Sequence, residues 1–543
     1  MDETYFLFSE KAKRNISDRK PRKRGGKAKY RGISNDQICV LVARDRLSVV
    51  VPEEGNPDST KQYLEDLYRS GKNINIPELA ETLANESIRA LELLEKYGLQ
   101  FFKEEQRYVK RKPPGHTYPR SVPTIWDGYS YMARGASFMS PLHMRATEQG
   151  IRMLNKMIIT ELIKKDGRVV GAVAYNPADH EMIMISSKAT IIASGGAGWI
   201  FAKTNNTIGI TGDSYALAYH AGATLVDMEF VQFYPTEMIK LKMPASNPLF
   251  GDGAVLRNKF GDRFMEKYDP AGDMATRDKM AQAIFMEVEA GNGIEGGVYF
   301  DCSGIPREIL ENKYAHFCKQ LRKKGVEPTK DYVIVSPTTH YYLGGIKINP
   351  KCESTVPGLY AAGESSGGIH GANRLSGNSI ADTVVFGAIA GNSAADFAKH
   401  NKQVKLKNED IRLPDYGNQG SRYSVQEKKE QLRHLMWKHA SVIREEQGLL
   451  QGLEELVEIK KSLSDIAVKD EKDFVAMYEL QNMMTVSEML LKGALQRRES
   501  RGSHWRRDFP ETKAEYLGNF YYVKQGEDCN ITFAAKVEKA LKQ

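Results

Sequence analysis

Thirty residues, 358–387 (GLYAAGESSGGIHGANRLSGNSIADTVVFG), hold a dense set of groups able to bind a ligand. A short apolar strand, GLYAA, ends at Gly363-Glu364. An acid in that place can accept hydrogen bonds from ribose hydroxyls. Gly367, Gly368, His370, Gly371, Asn373, Arg374 and Gly377-Asn378-Ser379 then crowd in ahead of a helix. A surface loop rarely needs an arginine, a histidine and five glycines in about twenty residues. Glycine lets a backbone come close to a ligand, and the amides at a helix start favour an electron-rich group. The segment reads as a binding site rather than a loop.

Two further glycine turns carry weaker signals. Residues 191–198 (IIASGGAG) form a strand running into Ser194-Gly195-Gly196, where a backbone can approach a pyrophosphate or ring and Ser194 can add a hydrogen bond. A plain tight turn explains these residues equally well. Thr211-Gly212-Asp213 precedes a helix through Ala223, and Asp213 serves either as a helix cap or as a ligand contact.

These turns need elements to hold them. Residues 169–175 and 182–186 read as paired strands, and 189–193 and 358–362 as short buried strands. A helix rich in small residues spans 379–397. Pro77 suits a first helical turn, Leu79, Leu83, Ile88, Leu91 and Leu94 form an apolar stripe, and Gly98 stops the helix. Residues 236–340 mix short strands, helices and loops, as an inserted domain would. After about 415 the pattern predicts helices over 425–446, 448–464 and 472–498. No internal repeat of solenoid period occurs.

With 543 residues the chain exceeds one core and calls for two to four domains. No stretch reaches the ~18 apolar residues of a membrane span and no signal-peptide core opens the chain, so a cytoplasmic protein is expected, with any membrane contact made through a partner. The net charge of +8 is local: residues 11–31 carry eleven Lys or Arg against Asp18, and removing their +10 leaves −2 for the rest. A solvated tail explains that run better than nucleic-acid binding. The five cysteines lack the close spacing that zinc or iron–sulfur clusters need, so no metal site is expected.

The 358–387 segment resembles the flavin and substrate signature of succinate dehydrogenase and fumarate reductase flavoproteins, a family that includes L-aspartate oxidase. Further stretches match in family order: ASGGAGWIF, TGDSYALAYHAGA, GDRFMEKYDP, ATRDKMAQAI, HYYLGGIKIN and RRESRGSHWRRDFP, together spanning about 59–520. The resemblance implies an α/β fold. A discontinuous FAD-binding Rossmann-like domain (58–235 and 345–414) would carry an inserted α+β capping domain (236–344), with a C-terminal helical bundle (415–543) and an atypical basic segment (1–57). It implies FAD held by Ser194, Gly195, Gly196, Asp213, Glu364, Asn378, Ser379 and Ile380. It also implies a dicarboxylate held by His340, Arg374, Tyr234 and Thr236, with Arg277 as the proton donor.

Three departures stand out. The family's H-P-T-G is Tyr234-Pro235-Thr236-Glu237 here, and its relay T-E-x-x-R-G-x-G aligns with residues 246–253, which lack the relay glutamate and arginine. No strand followed by G-x-G-x-x-G opens the chain. Gly25-Gly26 sits in a basic run, so the dinucleotide-binding strand is missing or altered, as a truncated or frameshifted start would leave it. The same gap removes the region where covalently flavinylated relatives carry their attachment histidine, and His116 lies too late for that role. The reading is a flavoprotein subunit that moves hydride between FAD and the C=C bond of a dicarboxylate, paired with an iron–sulfur subunit. The alternatives are an L-aspartate oxidase-like enzyme and a non-catalytic remnant that has lost FAD.

Overall fold

The computed structural model describes residues 48–53, 55–113, 115–125, 135–245, 248–407 and 422–536. The basic run 11–31, the strand-like run 38–43 and residues 246–247 of the relay segment lie outside them.

The expected α/β character is present. Thr190–Ile192 and Leu359–Ala361 pair in parallel, with Leu359 opposite Thr190 and Ala361 opposite Ile192. Although 166 residues separate the two strands, their ends bring the two glycine turns side by side. Among the described residues this parallel sheet has two strands. Ile158–Lys165, Arg168–Asn176 and Glu181–Ser186 form an antiparallel meander beside it.

Asn378–His400 is a 23-residue helix whose first nine residues are all buried. It lies against Pro77–Lys96, whose Leu79, Leu83, Leu91 and Leu94 face the core while Gly98 ends the helix at φ +95°. Their spacing of four, eight and three residues is what puts these leucines on one face.

Residues 231–342 carry a five-stranded antiparallel sheet, in the order Met243–Pro244, Val231–Met238, Val333–Tyr342, Val298–Asp301, Val255–Arg257. Its own apolar core includes Leu249, Leu256, Ile284, Phe300 and Val335, separate from the main core. The two long strands run from one core to the other: Val231, Phe233 and Tyr342 lie in the main core, and Met238, Val333 and Val335 in the second.

Val425–Ala440, Glu446–Lys461 and Glu471–Gln496 form the C-terminal helices. The expectation of helix from about 415 onward fails beyond Gln496. Gly518–Gln525 and Asp528–Ala535 form an antiparallel hairpin that joins Leu225–Val226, Gly345–Lys347 and Ser366–Gly367 in a five-stranded sheet. Phe520 and Tyr522, two apart, are both buried, so the period of two was available in the sequence. Buried ion pairs hold the return: Arg497 meets Glu229 at 2.7 Å and Glu499 at 3.0 Å, and Arg501 meets Glu499 at 2.7 Å. No helix of the described residues is long and apolar enough to cross a membrane.

Candidate active site

The two strands that run between the cores organise the polar groups. On Val231–Met238, Gln232 and Tyr234 are two residues apart and share a face. On the partner strand, Gln232 lies opposite Tyr341 and Phe233 opposite Thr339, which leaves His340 as an extra residue in a bulge. A bulge turns a side chain out of the regular alternation, here toward Tyr234. The two rings are 5.5 Å apart. Asn205 Oδ1 lies 3.2 Å from His340 Nδ1, and Asn206 Nδ2 donates to the His340 carbonyl.

Arg277 is the first residue of the helix Arg277–Glu289, and its guanidinium carbon stands 5.5 Å from the Tyr234 ring centre. Arg374 is buried; its Nη2 donates to Gln232 Oε1 at 3.0 Å and its guanidinium lies 4.4 Å over the Tyr341 ring. Gln232 Nε2 donates in turn to Asn373 Oδ1 and to the Arg374 carbonyl. Thus Arg277, His340 and Arg374, taken from three distant stretches, are gathered along one strand. A small cleft bordered by Gln232, Asp278, Gln282, Asn373 and Ser503 opens beside them.

Tyr234 and Thr236 share one backbone acceptor. Both hydroxyls donate to the Ala245 carbonyl, at 2.5 and 3.1 Å. Of the segment aligned with the relay, Leu249 and Phe250 are buried in the inserted core, and Asp252 pairs with Lys313 at 2.6 Å and with Tyr314.

On the cofactor side, Ser365 Oγ accepts from Gly195 N–H at 3.0 Å, and Ser214 Oγ donates to the Gly195 carbonyl at 2.6 Å. A Cβ on Gly196 would come within 2.3 Å of Glu364 Oε1, so any larger residue there would displace the Glu364 carboxylate. That same oxygen accepts from Tyr342 N–H at 2.8 Å. Asp213 is the first residue of a helix but makes no cap. It accepts from Asn482 Nδ2 at 2.7 Å and Thr211 Oγ1 at 3.0 Å, and loss of hydration pushes its carboxyl up to about 6.

Asn378, Ser379 and Ile380 form the buried first turn of the long helix, after Gly377 at φ +82° and with no side-chain cap. Asn378 Oδ1 accepts from Tyr63 OH at 3.1 Å, while its Nδ2 is buried without a partner among the described residues. An uncapped, buried helix start with a spare amide donor fits the electron-rich edge of a flavin ring. The literal G-x-G-x-x-G at 291–296 lies between the helix Arg277–Glu289 and the strand Val298–Asp301, the reverse of the strand-to-helix order a pyrophosphate loop needs.

Gln232, Tyr341, Asp382 and Asn205 were not singled out in the sequence. Tyr341 adjoins His340 in H-Y-Y-L-G-G, and Gln232 lies two before Tyr234, so the strand period alone could have nominated both.

Known domain models match most of the chain. Residues 46–380 match the FAD binding domain model and residues 429–539 match the fumarate reductase flavoprotein C-terminal model. The chain is 38% identical over 496 residues to an uncharacterized FAD-dependent oxidoreductase of Methanocaldococcus jannaschii, covering 90% of each chain. It is 35% identical over 500 residues to a component of the fumarate reductase (CoM/CoB) of Methanothermobacter marburgensis, again covering 90% of each. Among solved structures, Mycobacterium smegmatis Sdh1 in complex with UQ1 superposes with a TM-score of 0.80 at 31% identity, over 92% of this chain and 88% of that one.

Proposed function

The chain belongs to the family of fumarate reductase and succinate dehydrogenase flavoproteins, FAD-dependent oxidoreductases acting on CH–CH bonds, and within it we propose an enzyme that reduces or oxidises the C–C bond of a dicarboxylate. The observation that carries the reading is the gathering of Arg277, His340 and Arg374 around Gln232 and Tyr234.

When bound, the flavin would supply hydride chemistry: its reduced form would give a hydride to one alkene carbon, and its oxidised form would take one back in the reverse direction. Asn378, Ser379 and Ile380 would hold its ring, with Ser194, Gly195, Gly196, Asp213 and Glu364 on the nucleotide side. Arg374 presents a planar fork to one carboxylate, and His340 meets the other end. Fixing both ends removes the motions that would carry the reacting carbons out of line. Arg277 holds a proton at a guanidinium N–H for the carbon next to the one that receives hydride. The scattered cysteines provide no cluster within the described chain, which supports a separate iron–sulfur protein as the route for electrons.

The test uses holoprotein and a reduced viologen dye, with fumarate as acceptor. Turnover is expected in the native chain, and Arg277→Lys should lower kcat by a factor of about 10² to 10⁴ while leaving ligand binding intact. Full activity in that variant rejects Arg277 as the acid. Activity on aspartate with none on fumarate or succinate would move the enzyme to the aspartate oxidase branch.

A further inference from the structure

Behind Arg374 lies a buried polar cluster to which no role has yet been given. Asp382, on the long helix Asn378–His400, is fully buried. Its Oδ2 accepts from Tyr341 OH at 3.0 Å and lies 3.3 Å from His370 Nε2, and Tyr341 OH is 3.3 Å from the same nitrogen. Asp382 Oδ1 and His370 Nδ1 have no partner among the described residues. Three polar groups thus close a triangle inside apolar surroundings, where each lost hydrogen bond costs more than it would in water.

Tyr341 faces both ways. Its hydroxyl belongs to this triangle, while its ring lies 4.4 Å under the Arg374 guanidinium. The cross-strand partner of Tyr341 is Gln232, which accepts the 3.0 Å hydrogen bond from Arg374. The arginine is therefore held on two sides by one strand pair. The long helix enters through Asp382, five residues from its N-cap Gly377 and four from Asn378.

We propose that Asp382 is a positioning residue for the substrate arginine: it anchors the Tyr341 hydroxyl, and the Tyr341 ring fixes the plane of Arg374. Asp382 need not touch substrate. It joins the helix whose first turn faces the cofactor to the side chain that grips the carboxylate, so that one rigid element sets the distance between them. This rests on the dicarboxylate reading above.

The experiment uses holoprotein and malonate, a non-reacting dicarboxylate, with binding read from the flavin absorbance change. Tyr341→Phe keeps the ring and removes the anchor, and it should raise the malonate Kd about five- to tenfold, the value of one buried hydrogen bond. FAD content and the ligand-free spectrum should stay as in the native protein. Asp382→Asn should also weaken binding, and the double variant should be no weaker than about twice the worse single one, since both act through one contact. A Kd unchanged in Tyr341→Phe, or single effects that multiply, overturns the proposal.

A second readout needs no substrate. Modification of Arg374 by phenylglyoxal, followed by peptide mass spectrometry, should be at least about threefold faster in Tyr341→Phe, because the guanidinium has lost its support. An unchanged rate overturns the proposal. If the native protein binds no malonate, the dicarboxylate reading falls, and the arginine modification still decides this one.

Discussion

Gln232 and Tyr341 lie opposite each other in neighbouring strands and hold Arg374 between them, one by a 3.0 Å hydrogen bond and the other by an aromatic face 4.4 Å away. Gln232→Leu keeps the strand and removes the acceptor. A hydrogen bond to a charged group contributes about 1.5–3 kcal/mol, so KM for the dicarboxylate should rise roughly 10- to 100-fold. Steady-state kinetics that show a fall in kcat with KM unchanged would instead place Gln232 in the chemical step.

The flavin should be dissociable. His116 is buried, its Nε2 lies 2.8 Å from the Ser376 carbonyl, and burial pushes it down to about 4. It serves as a neutral brace for the turn before the long helix, not as an attachment point. Acid precipitation should therefore leave all the FAD in the supernatant. A fluorescent protein band on a denaturing gel would contradict this.

Asp213 should impose a pH dependence on stability. Its carboxyl is raised from 3.8 to about 6, chiefly by loss of hydration, so the native state holds this proton more tightly than the unfolded chain. The stabilisation from this group is complete below pH 3.8 and is lost as pH rises through about 6. Thermal scans of the native protein and Asp213→Asn should diverge across that window, the native protein losing ground as pH rises. Parallel curves would show that the carboxyl titrates normally.

Gly502 has φ +56°, and a Cβ there would stand 2.4 Å from the Ala372 carbonyl oxygen. Ser503 N–H donates to that same carbonyl, two residues before Arg374. Gly502→Ala should lower the melting temperature and also raise KM, because the turn bearing Arg374 has to move. The cost of a strained left-handed alanine alone is about 1 kcal/mol or more. A lower melting temperature with unchanged KM would separate the latch from the site.

Much of this was legible in the sequence because local rules sufficed. The strand at 190–192, the long helix from 378 and the leucine stripe of 77–96 each follow from period and punctuation. The turn at 358–387 announced itself by composition, since few structures other than a ligand site need so many glycines beside charged groups. The site partners were less visible because they are ordinary residues in strands. Nothing about Gln232 by itself marks it until Tyr341 and Arg374 are brought to it by pairing across more than a hundred residues. The hairpin 518–535 was missed because the helices before it set the expectation, and its pairing partner lies some 300 residues upstream. Tyr234 stands where the family pattern has a histidine, and the bond from its hydroxyl to the Ala245 carbonyl could not be read from the sequence.

The sheet that contains Leu225–Val226 has a consequence for the order of synthesis. That strand has Gly345–Lys347 on one side and Gly518–Gln525 on the other, and Asp227 N–H reaches the Phe520 carbonyl at 2.9 Å. A nascent chain carrying every residue of the proposed catalytic cluster still lacks one neighbour for the strand that leads into Gln232. The wall behind the site can close only after residue 525 has left the ribosome. A stop codon placed shortly before residue 518 would therefore remove no catalytic side chain and still leave a chain prone to aggregation, with an open edge beside its active site.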